Sequence, residues 1–477
     1  LHSPLESTVP ELSDRDGAGI WRDVRDALRG TSHDYTSGTI GRAILLLALP
    51  MVIEMSMESI FAVVDVFFVA RLGAAAVATV GLTESLMIVI YTIAFGLSIG
   101  ASATVARRIG EKDGDSAARA AVQVLLLGLG LSAVLCIVGA IWAPELLTLM
   151  GADNTVLSQG TMYARVTLGG SATAFLLFLV NAVFRGAGDA AVAMRVLILG
   201  NGINCVLDPA LIFGLGPFPE LGLTGAAIAT TIGRGIGLAY ALVLLTRGTG
   251  HLAVRRQHLA IEPKTMFSIA QLSGWGTVQV ALSSMSWIAL VRIVSSFGST
   301  ALAGYTISIR IILFALMPAF GIGAAAATMV GQSLGAKLPD RAERSVWTAV
   351  KINVVVLGSI GVVFLVFAPV LVSLFTSSPD VARVAVFGLR VIGLGFPAYA
   401  LGMVFEQSFN GAGDTRTPTW INFFCFWIVQ IPLAWLLSSP LGFDEGGVFI
   451  AVPVAYAVLA VVSAVLFKRG AWKMKSV

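Results

Sequence analysis

Three carboxylates, Glu54, Glu58 and Asp65, interrupt an otherwise apolar run. At the helical advance of 100° per residue they fall within an arc of about 40°, so one helix face carries all three. A second apolar run carries Asn201, Asn204 and Asp208, also on one face, and Thr230 lies in the run that follows. Carboxylate, amide and hydroxyl oxygens are hard ligands suited to a small cation such as Na⁺. A proton suits them equally, because two carboxylates close together in a medium of low dielectric cannot both ionise cheaply. Ionisable groups inside apolar segments are costly to keep and mark ion or substrate pathways.

The elements that must position these side chains are membrane spans. The chain has 477 residues, 57% of them hydrophobic and 12% charged, where a soluble domain carries about twice that charged fraction. A bilayer core needs about 20 apolar residues per helix. Runs of that kind lie near 43–69, 76–102, 119–142, 161–184, 192–213 and 222–246, then near 265–295, 301–330, 346–371, 384–408, 418–437 and 447–467. The expected architecture is therefore all-α and integral to the membrane, with twelve transmembrane helices. The first span ends near Val69, which puts Asp65 about 6 Å below that end, and the fifth ends near Phe213, which puts Asp208 about 7.5 Å below. Asn204 and Thr230 each lie about 12 to 13 Å in. The two carboxylates then sit at similar depth in the outer half of the same bundle, with Asn204 and Thr230 within reach.

Twelve spans put both termini on one side, and the positive-inside rule chooses it. With a cytoplasmic N-terminus, 23 Lys and Arg fall in inside segments, against only Arg71 and Arg383 outside. The expected location is the plasma (inner) membrane. Residues 1–42 form a polar cytoplasmic tail, in which Ile20, Trp21, Val24, Ala27 and Leu28 repeat at the spacing of a short amphipathic helix. Six-helix bundles are expected over 43–247 and 265–467, joined by a basic linker at 248–264 and followed by a basic tail at 468–477.

The two halves are copies. FRGAGD begins at Phe184 and FNGAGD at Phe409, an offset of 225 that also carries Gly73 to Gly298, Gly110 to Gly335 and Arg119 to Arg344. Glycine permits the turn between spans, and Asp189 and Asp414 are placed to cap the helices that follow. Six is an even number of spans, so the bundles insert with the same topology, related by an axis along the membrane normal with a cavity between them. The same offset takes Asp65 to Leu290, Asp208 to Leu433, Asn204 to Val429 and Thr230 to Ala455. A scaffold residue recurs in both halves, whereas a single ion site need not. The first half alone carries the candidate site.

Other chemistries find no support. Cys136, Cys205 and Cys425 stand singly in apolar runs, and the four histidines show no ligand spacing. No phosphate-binding loop or hydrolase motif appears, so no cofactor and no enzymatic activity are expected. Basic residues lie between apolar runs, which argues against nucleic acid as a partner. Further ionisable residues within spans are Glu84, Arg165, Arg234, Arg292, Arg310, Arg390 and Glu406.

LALPMVIE and VVDVFFVARLG in the first span, the FRGAGD and FNGAGD pair, NCVLDPALIFG and LGLTGAAIATT together resemble the MATE (multidrug and toxic compound extrusion) family from about Gly38 to Phe467. The resemblance implies two six-helix bundles around a V-shaped cleft. It implies a secondary antiporter that exports amphipathic organic cations or drugs in exchange for H⁺ or Na⁺. It makes Asp65 the first-span acid, with Asn204, Asp208 and Thr230 completing the cation-coupling set. Pro50 matches a first-span proline whose bending accompanies protonation of that acid. Glu54, Glu58, Phe61, Asn181, Trp287, Arg310 and Tyr399 are the candidates for the substrate cavity. No acid falls between Thr265 and Ser295, which favours the DinF-like branch. A monomer in the lipid bilayer is expected. The rival is a flippase for lipid-linked saccharides, whose anionic cargo would be met by Arg165, Arg234, Arg292 and Arg310.

Overall fold

A chain in hydrocarbon must satisfy every backbone polar group internally, so apolar runs of this length become helices. The structure, a computed structural model, describes residues 17–30, 33–248, 250 and 252–475. Helix α1 (Gly17–Arg29) lies against the first span, burying Ala27 and Asp23 while Trp21 stays exposed, and Asp23 pairs with Arg42 at 2.9 Å. The first bundle comprises α2 (Ile40–Val69), α3 (Ala74–Gly110), α4 (Gly114–Ile141), α5 (Ala143–Leu149), α6 (Asn154–Gly169), α7 (Ser171–Ala187), α8 (Ala190–Phe213) and α9 (Gly222–Arg247). The second comprises α10 (Pro263–Ser295), α11 (Ser299–Gly335), α12 (Pro339–Ser373), α13 (Pro379–Leu394), α14 (Phe396–Gly411), α15 (Arg416–Asn422), α16 (Ile431–Ser438) and α17 (Asp444–Lys468). Eleven helices of the described residues are long and apolar enough to cross a membrane, or twelve when α13 and α14, bent by 56°, count as one span.

Two spans depart from the sequence expectation. The fourth begins at Asn154 rather than near 161 and breaks at Gly170 between α6 and α7; the tenth bends at Gly395. The two glycines are one repeat apart. A side chain at Gly170 would press on Thr231, and one at Gly395 on Pro453, each at 2.6 Å. Pro318 and Pro50 lie inside α11 and α2, and neither ends its helix. Between α15 and α16 the chain widens into a π-helical stretch, Phe423–Gln430. Pro432 follows it; its ring crowds the carbonyl four residues earlier and its nitrogen has no proton to donate.

The repeat extends to single dihedral angles. Gly73 has φ 102° and ψ 177°, and Gly298 has φ 98° and ψ 176°. Gly188 and Gly413 hold φ 90° and 81°, a left-handed turn that favours glycine. Asp414 accepts from the Thr417 hydroxyl at 2.7 Å and so ties the first turn of α15. Asp189 departs from the capping expectation: it occupies the N-cap position of α8 but makes no side-chain bond to the first amides of that helix.

The bundles meet through α2 and α3 on one side and α10 and α11 on the other. A Cβ on Gly110 would stand 2.0 Å from the Gln332 carbonyl oxygen, and one on Gly335 2.1 Å from that of Arg107. Gly96 approaches Thr277, Gly100 approaches Ser273 and Gly321 approaches Val52 equally closely. These contacts all fall in the half of each helix nearer the chain termini. The two bundles frame a V-shaped cleft.

Candidate functional site

Small residues let α8 and α9 approach until backbone meets backbone. A side chain on Gly233 would lie 2.5 Å from the Gly200 carbonyl oxygen. That closeness brings Asn204 of α8 to Thr230 of α9. The Asn204 amide nitrogen donates to Asp208 Oδ1 and to Thr230 Oγ1, both at 3.1 Å. Asp208 is fully buried. From α2, the carboxyl group of Asp65 comes within hydrogen-bonding reach of the Asp208 carboxyl. Each keeps one buried oxygen that no donor reaches. Two carboxyl groups in contact away from water require either a shared proton or a bound cation. The four residues drawn together from the sequence thus lie together in the fold. Among the described residues no group of three or more His, Cys, Asp or Glu could hold a metal.

The other first-span acids have separate partners. Glu58 accepts from the Asn201 amide at 3.2 Å and lies 3.8 Å from the Arg234 guanidinium, which donates in turn to the Tyr91 hydroxyl at 2.8 Å. Glu54 is buried and pairs with Arg185 at 2.6 Å, with the Asn181 amide 3.5 Å from the same oxygen. Glu54 and Asn181, candidates for the cavity wall, therefore meet Arg185 through Glu54 Oε1 alone, while Glu54 Oε2 and Asn181 Oδ1 stay buried without a partner. Arg185 and Tyr91 escaped the sequence reading. The arginine stands in FRGAGD where the second copy has asparagine, a difference between the copies that pointed to it.

The remaining candidates do not join this cluster. Phe61 is half-buried on α2, Trp287 packs against the core of the second bundle, and Arg310 is exposed on α11. Tyr399 stacks on Tyr456 with ring centroids 4.2 Å apart. Arg165 donates to the Ala140 carbonyl, and Arg390, one repeat later, donates to the Leu365 carbonyl, both at 3.1 Å. Two of the four arginines that kept an anionic cargo in view, Arg165 and Arg234, are thus committed to partners within the first bundle.

Comparison with known proteins fits this duplicated frame. The sequence model of the MatE family matches residues 50–210 and 277–436, one copy in each bundle. The chain belongs to the MatE family. It is a membrane transporter and not an enzyme. The probable multidrug resistance protein YoeA of Bacillus subtilis is 27% identical over 88% of this chain and 92% of its own length. The FAD transporter of Shewanella oneidensis is 27% identical over 92% and 96%. Among solved structures, a multidrug resistance MATE family transporter of the MOP superfamily in its outward-facing conformation superposes with a TM-score of 0.86. It is 26% identical, covering 92% of this chain and 98% of that one. The first MatE copy contains Pro50, Asp65, Asn204 and Asp208, and the second has none of these four at the matching positions.

Proposed function

We propose that this transporter sits in the plasma membrane with both termini in the cytoplasm and exports amphipathic organic cations, drugs among them, in exchange for protons. The observation that carries the reading is the contact between the Asp65 and Asp208 carboxyls, present in the first bundle and replaced by two leucines in the second. The excess of Lys and Arg near the termini argues for the sidedness, and with that sidedness the open cleft faces outward. Similarity to YoeA, a probable multidrug resistance protein, supports drugs as cargo.

The cycle follows from electrostatics. In the outward-facing form a proton enters and is shared by Asp65 and Asp208, which removes negative charge from the first bundle. A cationic cargo loses its counter-charge and leaves outward. Pro50 leaves one backbone hydrogen bond of α2 unmade and lets that helix bend as the pair becomes neutral. The cleft closes and reopens on the cytoplasmic side, where the proton departs and cargo enters. Glu58, Phe61, Trp287, Arg310 and Tyr399 are the side chains available to the cleft; Glu54 and Asn181 hold its floor together. A monomer without a cofactor suffices for this cycle.

Vesicles with pH and Na⁺ gradients imposed separately test the assignment. A pH gradient alone should drive efflux of an amphipathic cation such as ethidium. Efflux that answers only to Na⁺ would assign the four-residue set to a sodium ion instead.

A further inference from the structure

The repeat relates a bonded polar cluster in the first bundle to three polar residues in the second that include an acid but no cation. In the first, Asn181 and Arg185 of α7 both reach Glu54. The offset of 225 carries Asn181 to Glu406, Arg185 to Asn410 and Glu54 to Gln279. The second bundle thus places its carboxyl on α14 and has an amide where the first has a guanidinium.

Both bundles leave buried polar atoms unbonded, Glu54 Oε2 and Asn181 Oδ1 in the first, but in the second the acid also has, among the described residues, no guanidinium beside it. Glu406 Oε1 is buried without a partner. One turn on, Asn410 is 3% exposed, and neither its side-chain oxygen nor its nitrogen is bonded. Gln279 is likewise buried, with its side-chain oxygen unsatisfied. Helix α17 runs parallel to α14, with Tyr456 on Tyr399 and Leu459 on Gly402. That register sets Ser463, fully buried with an unpartnered hydroxyl, level with Glu406.

The surroundings supply no cation. Tyr399 on α14, Tyr456 on α17, Tyr305 on α11 and Cys425 before α16 are the titratable groups nearby. Helix α12 offers Asn353, bonded to the Ala400 carbonyl, and Trp347 against Phe405. Beyond the end of α14, Lys475 is paired with Asp414 at 3.3 Å and Arg416 lies over Trp275. Among the described residues no Lys, Arg or His pairs with Glu406. With one carboxyl oxygen buried and no counter-charge beside it, Glu406 persists as the neutral acid or with a bound cation. A proton needs the Glu406 carboxyl alone, whereas a metal ion would need the Asn410, Gln279 or Ser463 oxygens as well, and none of these is bonded to it.

We infer that Glu406 is a second proton-binding site, in the second bundle and independent of Asp65 and Asp208, and that it loads and unloads during transport. In the first bundle the Arg185 guanidinium takes the part that a mobile proton takes here. This extends the proton-exchange reading, and its spectroscopic test does not depend on that reading.

The test is pH-dependent infrared difference spectroscopy of the reconstituted full chain, following the C=O stretch of protonated carboxyls. Wild type should show a titrating band that E406Q abolishes and D65N leaves in place. N410R, which restores the first bundle's arginine, should abolish the same band by fixing the carboxylate. Amide bands and thermal melts unchanged from wild type in E406Q and N410R verify that both variants fold. Efflux of ethidium by E406Q should lose part of its pH dependence. A spectrum unchanged in E406Q overturns the inference, as does a Glu406 band that never titrates. If D65N transports at the wild-type rate while the Glu406 band titrates, the first-bundle reading fails and this one stands.

Discussion

The two bundles share a frame and differ in what they bury. Lys112 and Lys337, one repeat apart, both adopt positive φ, 60° and 57°. Arg165 and Arg390 make the same bond to the preceding helix at the same length. Gly110 and Gly335 press reciprocally on the opposite bundle. Against this background stand Asp65 and Leu290, Asp208 and Leu433, Arg185 and Asn410. The difference separates two demands. Backbone geometry and interbundle packing are needed twice, because each bundle must rock on the other. Buried charge carries a desolvation cost and is retained where it does something.

The comparison can be broken by substitution, and the largest effect expected is on the paired charge. Arg185→Gln leaves Glu54 buried without its cation and should cost about 3–5 kcal/mol. Its counterpart Asn410→Ala removes no ion pair and should cost far less. Thermal unfolding in detergent distinguishes them, and equal losses would mean that the Glu54–Arg185 pair is not the difference between the bundles. Next come the reciprocal glycines. Gly110→Ala and Gly335→Ala each drive a methyl group into backbone and should cost about 1–3 kcal/mol, with similar falls in melting temperature. Unequal falls would place the seam's strain on one side only.

Smaller still, Arg165→Ala and Arg390→Ala each lose one backbone acceptor bond and should cost about 1 kcal/mol apiece, equally in the two bundles. The smallest effect is one of pH. Hydrogen bonds from the Ser116 hydroxyl and amide hold the Asp113 carboxyl below its ordinary range, at the start of α4. A carboxyl with a lowered folded-state pKa adds stability above its unfolded pKa and loses it as pH falls through the folded value. Asp113→Asn should therefore flatten the acid limb of the melting-temperature profile slightly. The second bundle has Leu338 at that position and contributes no such slope.

Much of this was legible because the bilayer imposes strong rules. Span count, the repeat and the similar depth of Asp65 and Asp208, with Asn204 and Thr230 in reach, follow from hydropathy, a fixed offset and a rise of about 1.5 Å per residue. What escaped depended on contacts between helices. Arg185 read as a loop charge because it lies two residues from a glycine turn, yet it points back into the bundle at Glu54. The breaks at Gly170 and Gly395 were hidden because hydropathy is continuous across them; Thr231 and Pro453, distant in sequence, are the neighbours that crowd the two glycines. The partners of Arg234 required knowing that α9 faces both α2 and α3.

Asp65→Asn tests the central claim most directly, in vesicles with an imposed pH gradient and a fluorescent organic cation as cargo. The amide keeps the shape of the acid and cannot exchange a proton. The account predicts that gradient-driven efflux falls to the background of empty vesicles while the cation still binds. Efflux at the wild-type rate, still responsive to pH, would contradict it.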